Sequence, residues 1–316
     1  MAITNTVDSF LTHQLGMVSP PRVVLSLILI VGMMTIVRFG EKMIVKAMSI
    51  LVFPFVIALM LLALYLIPQW NGAALETLSF SSAANTGQGL WMTLWLAIPV
   101  MVFSFNHSPI ISSFAVAKRE EYGDGAEKKC SRILSYAHIM MVLTVMFFVF
   151  SCVLSLAPAD LVAAKEQNIS ILSYLANHFH APVIEWMAPI IAMVAITKSF
   201  LGHYLGAREG FNGMVIKSLR GKGKTIEIGK LNRITAIFML LTTWLVATLN
   251  PSILGLIETL GGPVIAMILF LMPMYAIQKV PAMRKYSGHI SNAFVVVMGL
   301  IAISAIFYSL YHLVAA

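Results

Sequence analysis

Long apolar runs alternate along the chain with short polar stretches, and the runs are apolar on every side rather than striped. They cover about 22–38, 43–67, 90–116, 133–157, 182–206, 231–250, 253–277 and 290–314. A helix rising 1.5 Å per residue needs roughly 20 such residues to cross ~30 Å of hydrocarbon. The pattern therefore predicts eight transmembrane helices. Barrel strands would instead be short segments alternating apolar and polar.

The charges fall between the runs and alternate from one side to the other. Of the 21 Lys and Arg, 18 lie in four stretches. The first holds Arg38, Lys42 and Lys46, and the second Lys118, Arg119, Lys128, Lys129 and Arg132. The third holds Arg208, Lys217, Arg220, Lys222, Lys224, Lys230 and Arg233, and the fourth Lys279, Arg284 and Lys285. Positive loops stay in the cytoplasm, so these four are placed inside and the loops holding Arg22 and Lys165 outside. The remaining cation, Lys198, lies within a run. Eight spans in this register put both termini outside. An odd number of upstream spans would return the N-terminus to the cytoplasm, and ITNTV at the start reads as the tail of a helix.

Composition agrees, with 59% hydrophobic residues, 11% charged residues and a mean hydropathy of +0.89. This lies far from the balance of soluble domains. The formal net charge of +8 belongs to the topology and not to a nucleic-acid surface. Residues 1–21 have no basic region and no small-residue cleavage site of a signal peptide. Cys130 and Cys152 make no CxxC, and no metal-spaced or cofactor motif accompanies them. HExxH, P-loop and GxSxG patterns are likewise missing. No enzyme, cofactor or metal is indicated.

Polar residues inside hydrocarbon are costly and mark a pathway or a site. The third run contains FSFNHSPIISSF, residues 103–114. Pro109 lacks an N–H and clashes with the carbonyl of residue 105, and a residue before proline is pushed out of the helical region. The helix should break between Phe105 and Pro109, then restart with Ser108 as N-cap and Pro109 at the first helical position. Broken at mid-membrane, it offers the carbonyls of Phe103, Ser104 and Phe105 to an ammonium and a positive dipole end to an anion. Asn106 and His107 stand at the break, and the set suits a zwitterion. The bland alternative is a proline kink.

Lys198 lies ten residues, or ~15 Å, from Arg208 in the fifth run, between Thr197 and Ser199. Its ammonium either takes the place of a coupling cation or snorkels to the headgroups. Glu258 lies ~12 Å into the seventh run, followed by the interrupting Gly261, Gly262 and Pro263. It is a proton carrier, the partner of a cation, or part of a hinge. His138, His203 and Glu185 fit packing and helix-end roles.

The strings VKAMSILVFPF, LWLAIPVMVFSFNHSPIISSFAVAKREEYG, AITKSFLGHYLGAREGFNGMVIKSLRGKGK, TLNPSILG and IETLGGP closely resemble the bacterial serine transporters of the hydroxy and aromatic amino acid permease family. The resemblance covers essentially residues 2–312. It implies an all-α polytopic membrane protein with the inverted-repeat fold of the amino acid/polyamine/organocation superfamily. It also implies an inner-membrane importer of L-serine by proton symport, working with serine, protons and lipid and with no nucleic acid. On that pattern residues 1–21 are the tail of a missing upstream helix plus a periplasmic loop, and 22–67 are two remaining helices of the first repeat. Residues 90–277 are a second five-helix repeat whose first helix is broken, and 290–316 an accessory helix. Phe103, Ser104, Phe105, Asn106, His107 and Ser108 would bind substrate. Thr197, Lys198, Ser199 and Glu258 would couple the ion, with Lys198 a departure from sodium-coupled relatives. The family's first three helices have no counterpart, so a truncated, non-transporting remnant and a threonine-preferring sibling remain open as alternatives.

Overall fold

The computed structural model describes residues 1–37, 41–76, 89–179, 181–257 and 261–315. Among these residues the chain is helical, with no strand. It begins with α1 (Ala2–Ser9), extended by a π-helical turn over Phe10–Gln14. There follow α2 (Arg22–Val37), α3 (Glu41–Tyr65), the short α4 (Ala73–Glu76), α5 (Leu90–Ser104), α6 (Ser108–Tyr122) and α7 (Ala126–Ser155). Two short helices, α8 (Pro158–Glu166) and α9 (Ile171–His178), lead to the 40-residue α10 (Pro182–Gly221). The rest comprises α11 (Ile228–Leu249), α12 (Ile253–Leu256), α13 (Gly262–Ala266), α14 (Met272–Lys279) and α15 (Ile290–Ala315).

Five helical stretches are long and apolar enough to cross a membrane: Ser49–Gln69, Phe114–Ser155, Pro182–Gly221, Ile228–Leu249 and Ile290–Tyr308. Three shorter apolar helices, Arg22–Val37, Leu90–Ser104 and Val264–Lys279, fall on others of the predicted runs. Their outward faces are oily, with Ile28, Phe53, Leu143, Leu245 and Leu300 all more than half exposed. Exposed apolar surface on that scale is intolerable in water and ordinary in lipid. The chain is a polytopic, all-helical membrane protein.

It divides into two compact units, Met1–Ala73 with Pro109–Pro251, and Ala74–Ser108 with Ser252–Ala316. In the first, α3, α7, α9 and α10 share a core of Leu62, Leu66, Phe148, Leu175, Ile184 and Ile191. Hydroxyls stitch this core where lipid gives helices no hydrophobic reason to associate. Ser151 donates to the Ala63 carbonyl at 2.6 Å and accepts from Trp70 Nε1 at 3.1 Å. Ser155 donates to the carbonyl of Leu66 at 3.3 Å. Asp160 holds the α8–α9 hairpin by accepting from the Ala157 N–H and the Tyr174 hydroxyl, each at 2.9 Å. Burial, then that hydrogen bond, push the Tyr174 phenol above its usual range.

A second polar knot ties α1, α2, the α8–α9 connection and α11. Arg22 donates from Nε to the Ala247 carbonyl at 2.8 Å, and from Nη2 to Asn5 Oδ1 at 2.5 Å and Asn250 Oδ1 at 2.8 Å. Asn5 Nδ2 and Asn168 Nδ2 also reach Asn250 Oδ1, at 3.1 and 3.2 Å. Asn168 and Asn250 are the two non-glycine residues with positive φ among those described, at 55° and 49°. Asparagine tolerates this left-handed backbone better than other side chains. Asn250 thereby ends α11, where the guanidinium also meets the negative end of the helix dipole.

In the second unit α15 packs along α5 and α13 around Ala266, Ala302 and Ile306. Small residues permit the approach: a Cβ on Gly299 would stand 2.6 Å from Phe270 Cβ. Trp95 Nε1 adds a bond to Ser304 Oγ at 3.2 Å.

Candidate functional site

The helix breaks where the sequence places the break. Helix α5 ends at Ser104, the Phe105 N–H turns back to the Met101 carbonyl at 3.2 Å, and the Asn106 N–H goes to the Phe103 carbonyl at 3.1 Å. Helix α6 resumes at Ser108. One further bond closes the break. The Oδ1 of Asn106 accepts the first N–H of the new helix, that of Ser108, at 3.0 Å. An amide two residues upstream closes such a turn by a local bond to the backbone.

The acceptors at the break are partly engaged. His107 Nδ1 lies 3.1 Å from the Phe105 carbonyl, and the Phe103 carbonyl receives Asn106 as above. Each carbonyl has a second lone pair, so both can still receive a donor. Ser104 Oγ donates to the Val100 carbonyl at 2.8 Å, which directs its lone pairs outward as acceptors. Phe103, Phe105, Asn106, His107 and Ser108 are half-buried and Ser104 is exposed. At residues 103–108 the break thus offers carbonyl and hydroxyl oxygen from the end of α5.

Sequence reasoning missed what the restarted helix leans on. A Cβ on Gly206 of α10 would sit 2.7 Å from Pro109 Cβ, 2.8 Å from its carbonyl oxygen and 3.0 Å from its Cα. Only a bare glycine lets the first turn of α6 lie against α10. One turn along, Ser112 Oγ donates to Glu209 Oε2 at 3.1 Å. Gly206 carries no sequence signal of its own, since it is one glycine among 20.

Thr197, Lys198 and Ser199 lie within α10, Thr197 and Lys198 half-buried and Ser199 exposed. His203 Nδ1 stands 2.8 Å from the Ser199 carbonyl and 3.4 Å from its hydroxyl, one helical turn away. Residues 103–108 belong to one compact unit and residues 197–199 to the other. Glu258 lies outside the described residues.

A cavity of about 300 Å³ lies elsewhere in the first unit, lined by Ile3, Ile30, Met33, Ile196 and Phe200 among others. Its Thr242 and Thr243 hydroxyls donate back to the carbonyls of Phe238 and Met239, at 2.9 and 2.6 Å. It therefore suits apolar groups and not a zwitterion. Among the described residues no three His, Cys, Asp or Glu converge as metal ligands.

No family model and no solved structure matches the chain. Curated relatives match it closely. It is 88% identical over 311 residues to the serine transporter SdaC of Escherichia coli K12, covering 98% of this chain and 72% of that protein. The serine transporter SdaC of Escherichia coli O157:H7 gives the same figures, and that of Shigella flexneri is 86% identical over the same lengths.

Proposed function

The chain belongs to the bacterial serine transporter family, and from that premise we propose that it imports L-serine across the inner membrane by proton symport. It is a transporter and not an enzyme. The observation that carries the reading is the 88% identity over 98% of the chain to a protein named for serine transport. The break between α5 and α6 supplies chemistry suited to that substrate.

In this reading the serine ammonium faces the C-terminal end of α5, where Phe103, Ser104 and Phe105 offer oxygen. The carboxylate faces the first turn of α6, whose N–H groups and dipole favour an anion. Ser104 and Ser108 hydroxyls and the amide of Asn106 lie within one turn of each other along the chain and suit the serine hydroxyl, while His107 borders the site. Threonine differs by one methyl, worth about 1–3 kcal/mol in a pocket. Lys198, with Thr197 and Ser199, stands where a metal cation would act in a sodium-coupled design, and Glu258 carries the proton or faces a cation. The eight apolar helices are read as spans of an inverted-repeat fold, with residues 22–67 from the first repeat, 90–277 forming the second and 290–316 accessory.

Serine is neutral overall, so symport with one proton moves one positive charge inward. A potential of 100 mV contributes about 2.3 kcal/mol, and each pH unit about 1.4 kcal/mol. Uptake of labelled serine into inverted-gradient and normal-gradient vesicles tests the coupling. Accumulation should follow both pH difference and potential and collapse with a protonophore. Uptake indifferent to both would remove proton symport while leaving serine as substrate.

A further inference from the structure

Hydroxyls flank Lys198 in sequence, yet the structure gives its ammonium a partner on another helix. Nζ lies over the ring of Phe55, 5.7 Å from the centroid. A cation at that distance from an aromatic face is drawn by the ring quadrupole, more strongly when both are withdrawn from water. Lys198 is half-buried in α10, and α3 packs directly against α10.

The ring is itself held. Phe55 packs against the core shared by α3, α7, α9 and α10, which limits its rotamers. It also follows Pro54, inside α3. Proline has no N–H to bond and a fixed φ, which restrains the backbone immediately before residue 55 within the continuous helix.

We propose that Phe55 is a positioning residue for the coupling lysine, its ring face holding the Lys198 ammonium in place across the α3–α10 contact. The inference rests on the reading of Lys198 as the coupling cation. Attraction to the ring requires the charge: a neutral amine at the same place gains almost nothing from the quadrupole. Phe55 therefore favours the cationic lysine at this location without touching substrate.

The test is a series at position 55 in the full chain, comparing gradient-driven accumulation with serine exchange at equal pH and zero potential. Phe55→Leu keeps apolar bulk and removes the quadrupole. It should lower gradient-driven uptake about fivefold while exchange persists, and Phe55→Tyr or Phe55→Trp should restore it. Should Phe55→Leu fail to fold, stepwise ring fluorination at position 55 changes the quadrupole with little change of shape. Uptake should then fall step by step with fluorine number. Equal uptake along the fluorine series, or Tyr and Trp failing as Leu does at equal protein level, would overturn the proposal. In a Lys198→Ala background the series should be flat. If Lys198→Ala itself keeps full gradient-driven uptake, the coupling role of Lys198 fails; if it loses uptake while the Phe55 series has no effect, only the role of Phe55 fails.

Discussion

Asn106 and Asn250 both lie beside a helix end, and both use an amide oxygen to collect N–H donors that the helix leaves over. Their surroundings differ. Asn250 Oδ1 accepts from Arg22, Asn5 and Asn168 together, and Asn5 is only 5% exposed. Asn106 Oδ1 accepts the Ser108 backbone N–H, from a half-buried position beside His107 and the exposed Ser104. The first cluster is saturated. The second holds its backbone in place and keeps acceptor capacity in reserve. A saturated cluster stabilises a fold, whereas spare capacity at a helix break is what a ligand needs.

The largest effect should come from cutting the saturated cluster at its charge. Arg22→Ala removes three hydrogen bonds and leaves the oxygens of Asn5 and Ala247 short of a donor. A loss of about 3 kcal/mol is expected in chemical denaturation of the purified protein in mixed micelles. Serine uptake per folded molecule should change less than twofold. A variant as stable as wild type would deny the cluster its stabilising role, and one folded yet inactive would place it in the transport path.

Gly206→Ala should be next. The new Cβ meets backbone atoms of Pro109, which cannot swing aside as a long side chain could. Overpacking of this kind costs about 2 kcal/mol, or shifts the start of α6 by a few tenths of an ångström. In the second case the apparent KM for serine should rise severalfold with protein level unchanged. Normal stability together with normal KM would show that α6 is not held against α10 at this contact.

These two regions were not equally legible in the sequence. The break could be read because its determinants are adjacent: Pro109 dictates the behaviour of residues 105 and 108, and Asn106 sits within reach of the freed N–H. Even there the bond from the Ser108 N–H to the Asn106 amide was not read, although an asparagine two residues ahead of a freed N–H fits a local rule. That Lys198 falls inside a long helix was legible from residue counting, but its neighbour Phe55 was not. The Arg22 cluster was read only as one outside charge. Its partners lie 17, 225 and 228 residues away, and no periodicity or spacing links positions so far apart.

Asn106→Ala should cost about 1 kcal/mol of stability, the ordinary loss of a helix cap. Its effect on uptake should be about tenfold, or about 1.4 kcal/mol, because the first turn of α6 loses its fixed start. Asn106→Asp, which keeps an acceptor for the Ser108 N–H, should recover the stability and not the transport, since it puts a negative charge beside the position proposed for the serine carboxylate. Recovery of both would make Asn106 a cap and nothing more.

The finest distinction lies within Asn250. Two properties are combined there, a left-handed backbone at φ 49° and an oxygen that gathers three donors. Asn250→Gly removes the oxygen and keeps the backbone comfortable, whereas Asn250→Ala removes the oxygen and strains the backbone as well. Since the left-handed region costs a non-glycine residue about 1 kcal/mol or somewhat more, Asn250→Ala should be less stable than Asn250→Gly by that amount. The added freedom of glycine in the unfolded chain offsets part of the gap, by several tenths of a kcal/mol. Equal stabilities for the two variants would assign the whole role of Asn250 to its side-chain oxygen, and with it the rigidity of the α11 terminus to Arg22.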